Sequence, residues 1–186
     1  MMQAQSQQHQ RRTIRLREYD YSWAGWYYVT ICTHNRVCFF GKIVDGQVLL
    51  NQVGRIVEEE WLKTPHIRPG IELDEYVIMP NHLHCILIIG DLCRGVLQYA
   101  PTNGFRSPSQ SLGAIIRGFK GAATKKVNVL QNTVSIPLWQ RNYYEHIIRN
   151  DADLHRVRTY IQNNPLQWEV DEENPENNRA EQSKGR

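Results

Sequence analysis

Apolar and polar positions alternate along some parts of the chain and recur at helical spacing along others. Runs rich in β-branched and aromatic residues predict strands. The predicted strands are 26–33 (WYYVTICT), a hairpin of 38–43 and 47–50 around the tight-turn dipeptide Asp45-Gly46, and two core strands, 71–79 and 82–89, around the turn Pro80-Asn81.

Helical spacing of apolar residues predicts three helices between and after these strands. They cover 51–63, 111–130, and a last segment that begins at Asn150 or Asp151 and ends at Asn163 or Asn164. Asn51 is a candidate N-cap of the first, and Ser109 or Ser111 of the second. Strands and helices in this order, with a short strand before the last helix, predict an α+β sandwich with helices on one face of a mostly antiparallel sheet.

Length and composition fit one domain with unstructured ends. We predict a disordered Gln-rich segment at 1–12, a single domain over 13–168 with a mobile loop at about 90–109, and an acidic disordered tail at 169–186. No apolar run is long enough for a signal peptide or a membrane span, and the four cysteines lack the spacing of a zinc site. These features indicate a cytoplasmic protein with reduced thiols.

Charge is distributed unevenly along the chain. The overall net charge is +3, yet residues 94–168 contain ten basic and three acidic side chains, a net charge of +7. Aromatic residues are interleaved with this basic stretch, so a polyanion such as nucleic acid is a candidate partner. The candidate contacts are Arg117, Lys120, Lys125, Lys126, Trp139, Arg141, Tyr143, Tyr144 and Arg149.

Two histidines begin the strand 82–89. Side chains two residues apart on a strand share a face, so His82 and His84 point to the same side and could together bind one divalent cation. Ile86 and Ile88 follow on that face, which places the histidines at an end of the sheet that opens to solvent. Two surface histidines beside a turn remain the alternative interpretation.

The last predicted helix carries a phenol and an amide on one face. Tyr160 and Asn164 are four residues apart and lie beside an apolar stripe of Leu154, Val157 and Ile161. A tyrosine beside a metal could attack a phosphodiester, and the amide oxygen of Asn164 suits a hard cation as a third ligand. Amphipathic packing of the tyrosine and a simple helix stop at the asparagine are the alternatives, and Tyr143 and Tyr144 are rival nucleophiles.

Five segments together resemble a known family. They are 15–22 (RLREYDYS), 28–33 (YVTICT), 76–84 (YVIMPNHLH), 138–150 (LWQRNYYEHIIRN) and 160–165 (YIQNNP). In this order they are similar to the REP-associated tyrosine transposases, relatives of small bacterial insertion-sequence transposases that carry a His-hydrophobic-His motif.

This resemblance implies a ferredoxin-like fold and a catalytic site. The histidine motif falls on His82 and His84 and implies Mg²⁺ or Mn²⁺, the nucleophile falls on Tyr160, and the polar residue used near the metal falls on Asn164. Tyr143 and Tyr144 match an aromatic pair of the family instead. The implied activity is cleavage and joining of single-stranded DNA near REP-like hairpins through a 5′-phosphotyrosine, by a monomer or homodimer associated with the nucleoid.

Two other classes of function remain open on the sequence. The first is a DNA-binding or regulatory protein of the same fold that does not cleave. The second is an unrelated metal-dependent hydrolase that combines His82 and His84 with Glu145 or Asp153. A covalent protein–DNA species distinguishes a tyrosine transposase from both.

Overall fold

A computed structural model describes residues 21–90, 111–134, 136–171 and 173–177. Its strands are β1 (Gly25–Cys32), β2 (Gly41–Val44), β3 (Gln47–Leu50), β4 (Ile71–Ile78), β5 (His82–Ile89) and β6 (Tyr144–Ile148). Its helices are α1 (Gln52–Leu62), α2 (Thr64–Ile67), α3 (Leu112–Leu130) and α4 (Asp151–Asn163), with short 3-10 helices at His34–Arg36 and Asn164–Val170. The predicted loop at 90–109 and the N-terminal segment 1–12 lie outside the described residues, apart from Gly90.

One antiparallel sheet organises the fold. Its strand order is β4-β5-β1-β6, and the β2–β3 hairpin forms a separate pair. Every pairing in the four-stranded sheet is antiparallel. With α1 between β1 and β4 and α3 between β5 and β6, the chain order is that of a ferredoxin-like sandwich. The predicted fold class is confirmed.

Helices cover both faces of this sheet. On one face, the odd-numbered residues of β5 pack with α1 and α3 in a large core that includes Leu83, Leu87 and Phe119. On the other face, Ile86 packs with Val157 and Ile161 of α4. The expectation that all helices share one face is therefore wrong, because the stripe on α4 needs its own apolar partner and finds it on the face that carries the histidines.

Local signals in the sequence position the helix starts. Asn51 and Ser111 accept hydrogen bonds from the backbone N–H groups three residues later, at 3.0 and 3.4 Å, and Asn150 does the same for α4 at 2.8 Å. The β2–β3 turn uses positive φ angles at Asp45 and Gly46, 51° and 70°. Within the described ranges, none of the helices has the length and apolar character that crossing a membrane requires.

Candidate active site

His82 and His84 lie at the start of β5 on the face covered by α4. Their ring centroids are 4.4 Å apart, and the two residues are 0% and 3% exposed. Alternation along the strand predicts the shared face, but not this degree of burial. The 3-10 helix after α4 contributes to it, because the Trp168 ring lies 6.1 Å from that of His82.

Hydrogen bonds on one side of each imidazole orient it. His82 Nδ1 lies 2.9 Å from Asn81 Oδ1, and His84 Nδ1 lies 2.8 Å from the Tyr28 hydroxyl and 2.9 Å from the Thr30 hydroxyl. The Nε2 atoms of both histidines are buried, and neither has a hydrogen-bond partner among the described residues. Buried polar atoms nearly always have a hydrogen-bond partner. A histidine that binds a metal typically uses one ring nitrogen as the ligand and donates a hydrogen bond from the other, which orients the ring.

Burial also sets the charge state of the two rings. It lowers the pKa of His82 to about 4, against an opposing effect of the Asp171 carboxylate and the Asn164 amide. Burial lowers the pKa of His84 well below its ordinary value, and the neighbouring His82 adds to that shift. Both imidazoles are therefore neutral at neutral pH, the form that binds a metal ion.

Two oxygen donors from the end of α4 and the segment after it complete the cluster. Asn164 is 1% exposed, and its Nδ2 donates to the Asp171 carboxylate at 3.2 Å. Its Oδ1 atom has no hydrogen-bond partner within the described part of the chain. One ligand atom each from His82, His84 and Asp171 lie within 4.8 Å of one another. The structure thus adds a carboxylate to the three residues expected from sequence.

Asp171 was missed because its neighbourhood has the composition of a disordered tail. Of the residues assigned from sequence to that tail, 169 and 170 belong to the 3-10 helix that ends at Val170, and 175–177 form one helical turn. Asn174 is 5% exposed, and its amide donates to the Trp168 carbonyl at 2.9 Å. The position of Asp171, seven residues after Asn164, is the one feature of the sequence that points to it as a ligand. Acidic residues are so frequent in 169–176 that this spacing does not distinguish Asp171 from its neighbours.

This donor set fits a divalent cation. The donors are two neutral imidazole nitrogens, a carboxylate and an amide oxygen. Mn²⁺ binds such a mixed set of nitrogen and oxygen ligands, and Mg²⁺ prefers the oxygen ligands among them. Three of the donor atoms are buried without hydrogen-bond partners among the described residues, which is the condition expected of atoms that bind an ion.

Tyr160 stands beside this cluster and reaches solvent. Its ring centroid is 5.2 Å from that of His84, and 43% of the residue is exposed. It lines a cleft of about 430 Å³ together with Asn164, Asp171 and Tyr144. Of the three tyrosines considered from sequence, Tyr160 is therefore next to the histidines and accessible to a ligand in the cleft.

The two rival tyrosines occupy different places. Tyr144 is 45% exposed and lines the same cleft, with its ring 6.1 Å from that of Tyr28. Tyr143 packs against the core beneath α1 and α3, and the Lys120 ammonium lies 5.9 Å from its ring centroid. Tyr144 is thus placed to contact a ligand in the cleft, whereas Tyr143 faces the opposite layer.

Three of the predicted DNA contacts are engaged within the protein. Trp139, predicted as a candidate DNA contact, is 6% exposed and packs between Phe40 and Phe119, so its indole is part of the core and does not face a DNA strand at the surface. Lys120 donates to the carbonyls of Gln140 at 2.7 Å and Asn142 at 3.1 Å, and Lys126 pairs with Glu60 at 2.6 Å. Both lysines therefore have structural partners that a phosphate would have to replace.

The other four basic residues among the predicted DNA contacts are exposed. Arg117 and Lys125 lie on α3, in the layer opposite the cleft, whereas Arg141 and Arg149 flank the edge strand β6.

The two acidic residues considered for a metal-dependent hydrolase site lie away from the histidines. Glu145 pairs in register with Val29, which belongs to the core under α3, and Asp153 bonds His146 at 2.8 Å, so neither joins the histidine cluster.

Comparisons with known proteins agree with this geometry. No family model matches the chain. A protein of Haemophilus influenzae described as uncharacterized is 42% identical over 169 residues, which cover 88% of this chain and 93% of that protein. A solved REP-associated tyrosine transposase bound to a REP hairpin superimposes with a TM-score of 0.57 at 22% identity, over 83% of this chain and 74% of that one. The resemblance inferred from sequence is thus confirmed at the level of the fold. The chain belongs to one protein family with the Haemophilus influenzae protein, and its fold is that of the REP-associated tyrosine transposase.

Proposed function

We propose that this protein is a metal-dependent enzyme that nicks and joins single-stranded DNA through Tyr160. The observation that carries the proposal is the exposed Tyr160 phenol beside a buried cluster of His82, His84, Asn164 and Asp171. The shared fold with a transposase that binds a REP hairpin supports DNA as the substrate. We infer that REP-like hairpins with single-stranded flanks are the target, and that the protein acts as a transposase-like strand transferase.

His82, His84, Asn164 and Asp171 would hold one Mg²⁺ or Mn²⁺ ion. When bound, the ion supplies Lewis-acid polarisation of the scissile phosphate and stabilises the charge that develops there. The neutral state of both imidazoles leaves their lone pairs available, and the Asp171 carboxylate offsets part of the positive charge. Held by these four residues, the ion would lie at the cleft that Tyr160 also lines.

Tyr160 is the nucleophile of the proposed reaction. Its phenolic oxygen forms a bond to phosphorus while the bond from phosphorus to the 3′ oxygen breaks in line. The phenol loses its proton, and the departing 3′ oxygen gains one, so the products are a 5′-phosphotyrosine and a free 3′-hydroxyl. Since the covalent link conserves the phosphodiester energy, attack by a second 3′-hydroxyl restores Tyr160 and joins the strands without a nucleotide cofactor.

A substrate strand in the cleft would meet aromatic and basic groups near the reacting atoms. Tyr144 lines the cleft and is placed to stack on an unpaired base. Arg141 and Arg149, at the two ends of the edge strand β6, are exposed and suited to phosphate contacts. Arg117 and Lys125 on α3 would be reached only by DNA that passes around that edge.

The proposal is tested with a labelled DNA hairpin that carries single-stranded flanks. Wild-type protein with Mn²⁺ or Mg²⁺ is expected to give a labelled species that migrates with the protein on a denaturing gel. Excess EDTA and the Tyr160→Phe substitution should each abolish it, whereas Tyr144→Phe, the matched change of the other exposed cleft tyrosine, should still form it. Tight hairpin binding by wild-type protein with no adduct under any metal would instead favour the non-cleaving DNA-binding alternative.

A further inference from the structure

The side chain of Asn81 joins three separate parts of the candidate site. Asn81 lies in the turn between β4 and β5 and is 0% exposed. Its Nδ2 atom donates to the Arg36 carbonyl at 3.0 Å and to the Glu173 carbonyl at 2.6 Å. Its Oδ1 atom lies 2.9 Å from His82 Nδ1. One amide therefore connects the 3-10 helix that follows β1, the first histidine and the segment that carries Asp171.

The orientation of this amide follows from its partners. A backbone carbonyl accepts hydrogen bonds and cannot donate them, so the end of Asn81 that faces Arg36 and Glu173 must be the NH₂ group. The opposite end is then the carbonyl oxygen, which can only accept. His82 Nδ1 must therefore carry the proton and donate it to Asn81 Oδ1, which leaves the lone pair of neutral His82 on Nε2.

We propose that Asn81 is the positioning residue of the candidate metal site, in that it fixes the tautomer of His82 and docks the Asp171 segment. The metal part of this inference rests on the proposed function, whereas the tautomer part does not. Nε2 of His82 is the atom that lacks a hydrogen-bond partner among the described residues, so the fixed tautomer directs its lone pair into the cluster.

Docking of the Asp171 segment follows from the bond to Glu173. The Glu173 backbone N–H donates to Asp171 Oδ1 at 2.6 Å, so the residue that Asn81 holds through its carbonyl also orients the carboxylate through its N–H. Asn81 thereby places two of the donors, one from β5 and one from the segment after α4. Loss of a group that orients a metal ligand typically weakens metal binding by about 10- to 100-fold.

The tautomer is measured directly by nitrogen-15 NMR of the histidine side chains in metal-free protein. Long-range proton–nitrogen correlations identify which ring nitrogen carries the proton. Wild-type protein at neutral pH is expected to show His82 protonated on Nδ1, and Asn81→Ala is expected to shift the ring toward an Nε2-protonated mixture. A wild-type His82 protonated on Nε2 would overturn the inference without any variant, and an unchanged tautomer in a folded Asn81→Ala protein would overturn it as well.

Mn²⁺ affinity, measured by titration calorimetry without DNA, gives the second readout. Asn81→Ala should bind Mn²⁺ roughly 10- to 100-fold more weakly than wild type. The control is Asn51→Ala, which removes the exposed N-cap amide of α1 that also bonds two backbone groups, Phe39 O at 2.9 Å and Gly54 N at 3.0 Å, and contacts none of the four donor residues. That control should keep wild-type affinity, and equal affinity in wild type and Asn81→Ala would contradict the inference.

The two readouts separate this inference from the proposed function. A wild-type protein that binds Mn²⁺ through an Asn81-dependent site but forms no DNA adduct would support the inference and contradict the nuclease. If wild-type protein forms the adduct, but Asn81→Ala changes neither the Mn²⁺ affinity nor the His82 tautomer, the nuclease is supported and the inference about Asn81 is contradicted.

Discussion

Single buried polar atoms determine the chemistry of the site. His82 Nε2, His84 Nε2 and Asn164 Oδ1 are all buried, and none has a hydrogen-bond partner among the described residues. An unsatisfied buried polar atom costs about 1–3 kcal/mol, so three in one cluster are a substantial destabilisation of the metal-free fold. A bound divalent ion would relieve all three at once, which explains why such an arrangement is tolerated.

The contribution of Asp171 can be tested by removing its charge alone. Asp171→Asn keeps the shape of the side chain and one of its oxygens, but it replaces the carboxylate beside the two neutral histidines with an uncharged amide. We expect Mn²⁺ affinity to fall by at least about tenfold, because the loss of a charged donor should weaken binding no less than the loss of a group that only orients a donor. Asp151→Asn, an exposed aspartate in the first turn of α4, is the control and should leave the affinity unchanged. Equal affinity in both variants would remove Asp171 from the site.

The site residues that share a strand face or a helix face could be predicted from their spacing in the sequence. The site residues that come together only through contacts between distant segments could not. The alternation of β5 predicts that His82 and His84 share a face, and helical spacing predicts that Tyr160 and Asn164 do. Asp171 and Asn81 gain their roles from contacts between distant segments, for which the sequence carries no spacing signal. Trp139 was misjudged for the related reason that a basic neighbourhood does not show whether an aromatic ring is buried.

At the scale of elements, a bulge in β4 determines how α4 is held. The register of β4 against β5 shifts between Leu73 and Tyr76, and the two residues between them bond side chains of α4. Asp74 accepts two hydrogen bonds from Arg158, one of them at 2.8 Å, and Glu75 accepts one from Gln162 at 2.9 Å. Arg158 and Gln162 lie two residues on either side of Tyr160, so these contacts fix the helix that presents the phenol.

Breaking the contact between Asp74 and Arg158 should affect chemistry more than metal binding. Asp74→Asn removes the charge that orients the Arg158 guanidinium, and a small displacement of a reacting group lowers rates by up to about 100-fold. We expect the rate of adduct formation to fall by about tenfold while Mn²⁺ affinity stays near wild type. Glu72→Gln, an exposed position on the same strand, is the control. An unchanged rate in Asp74→Asn would show that this contact does not position Tyr160.

Periodicity predicted the elements themselves closely, but not their arrangement. The first helix was predicted at 51–63 and spans Gln52–Leu62, and the strand predicted at 82–89 has those bounds. The apolar stripe of α4 is visible in the sequence, yet the face of the sheet that it covers depends on how the chain leaves β6. The β4 bulge has no signal either, because Asp74 and Glu75 look like ordinary polar residues in a strand.

At the scale of the whole molecule, the sheet separates two surfaces. The cleft with Tyr160 lies on the face covered by α4, whereas α3 and its exposed Arg117 and Lys125 lie on the other side. Strand β6 forms an edge of the sheet between them, with Arg141 before it and Arg149 after it. A hairpin that contacts both surfaces would therefore have to bind across this edge.

Burial of the histidines makes the stability of the whole protein depend on pH. The pKa of His82 falls from an ordinary 6.5 to about 4 on folding, and that of His84 falls as well, so the unfolded chain binds more protons below pH 6.5. The free energy of unfolding of metal-free protein should therefore be highest above pH 6.5 and decrease toward pH 4. Proton uptake by the two rings on unfolding is the physical cause of that loss.

Urea denaturation in EDTA at a series of pH values measures this dependence. His82→Asn, which cannot take up a proton in this range, should lose stability less steeply between pH 6.5 and pH 4 than wild type does. Exposed His155→Asn is the matched control and should keep the wild-type slope. A wild-type stability that is constant or increases as the pH falls from 6.5 to 4.5 would contradict the buried neutral state of the two rings.

The proposed function depends on Tyr160 as the nucleophile of a DNA-cleaving site. The most direct test is mass spectrometry of the peptide that stays attached to DNA after wild-type protein is incubated with a hairpin substrate and Mn²⁺ and then digested with a protease. We expect a single modified peptide, with the phosphodiester remnant on Tyr160. A remnant on Tyr144, Tyr143 or any other residue would contradict it.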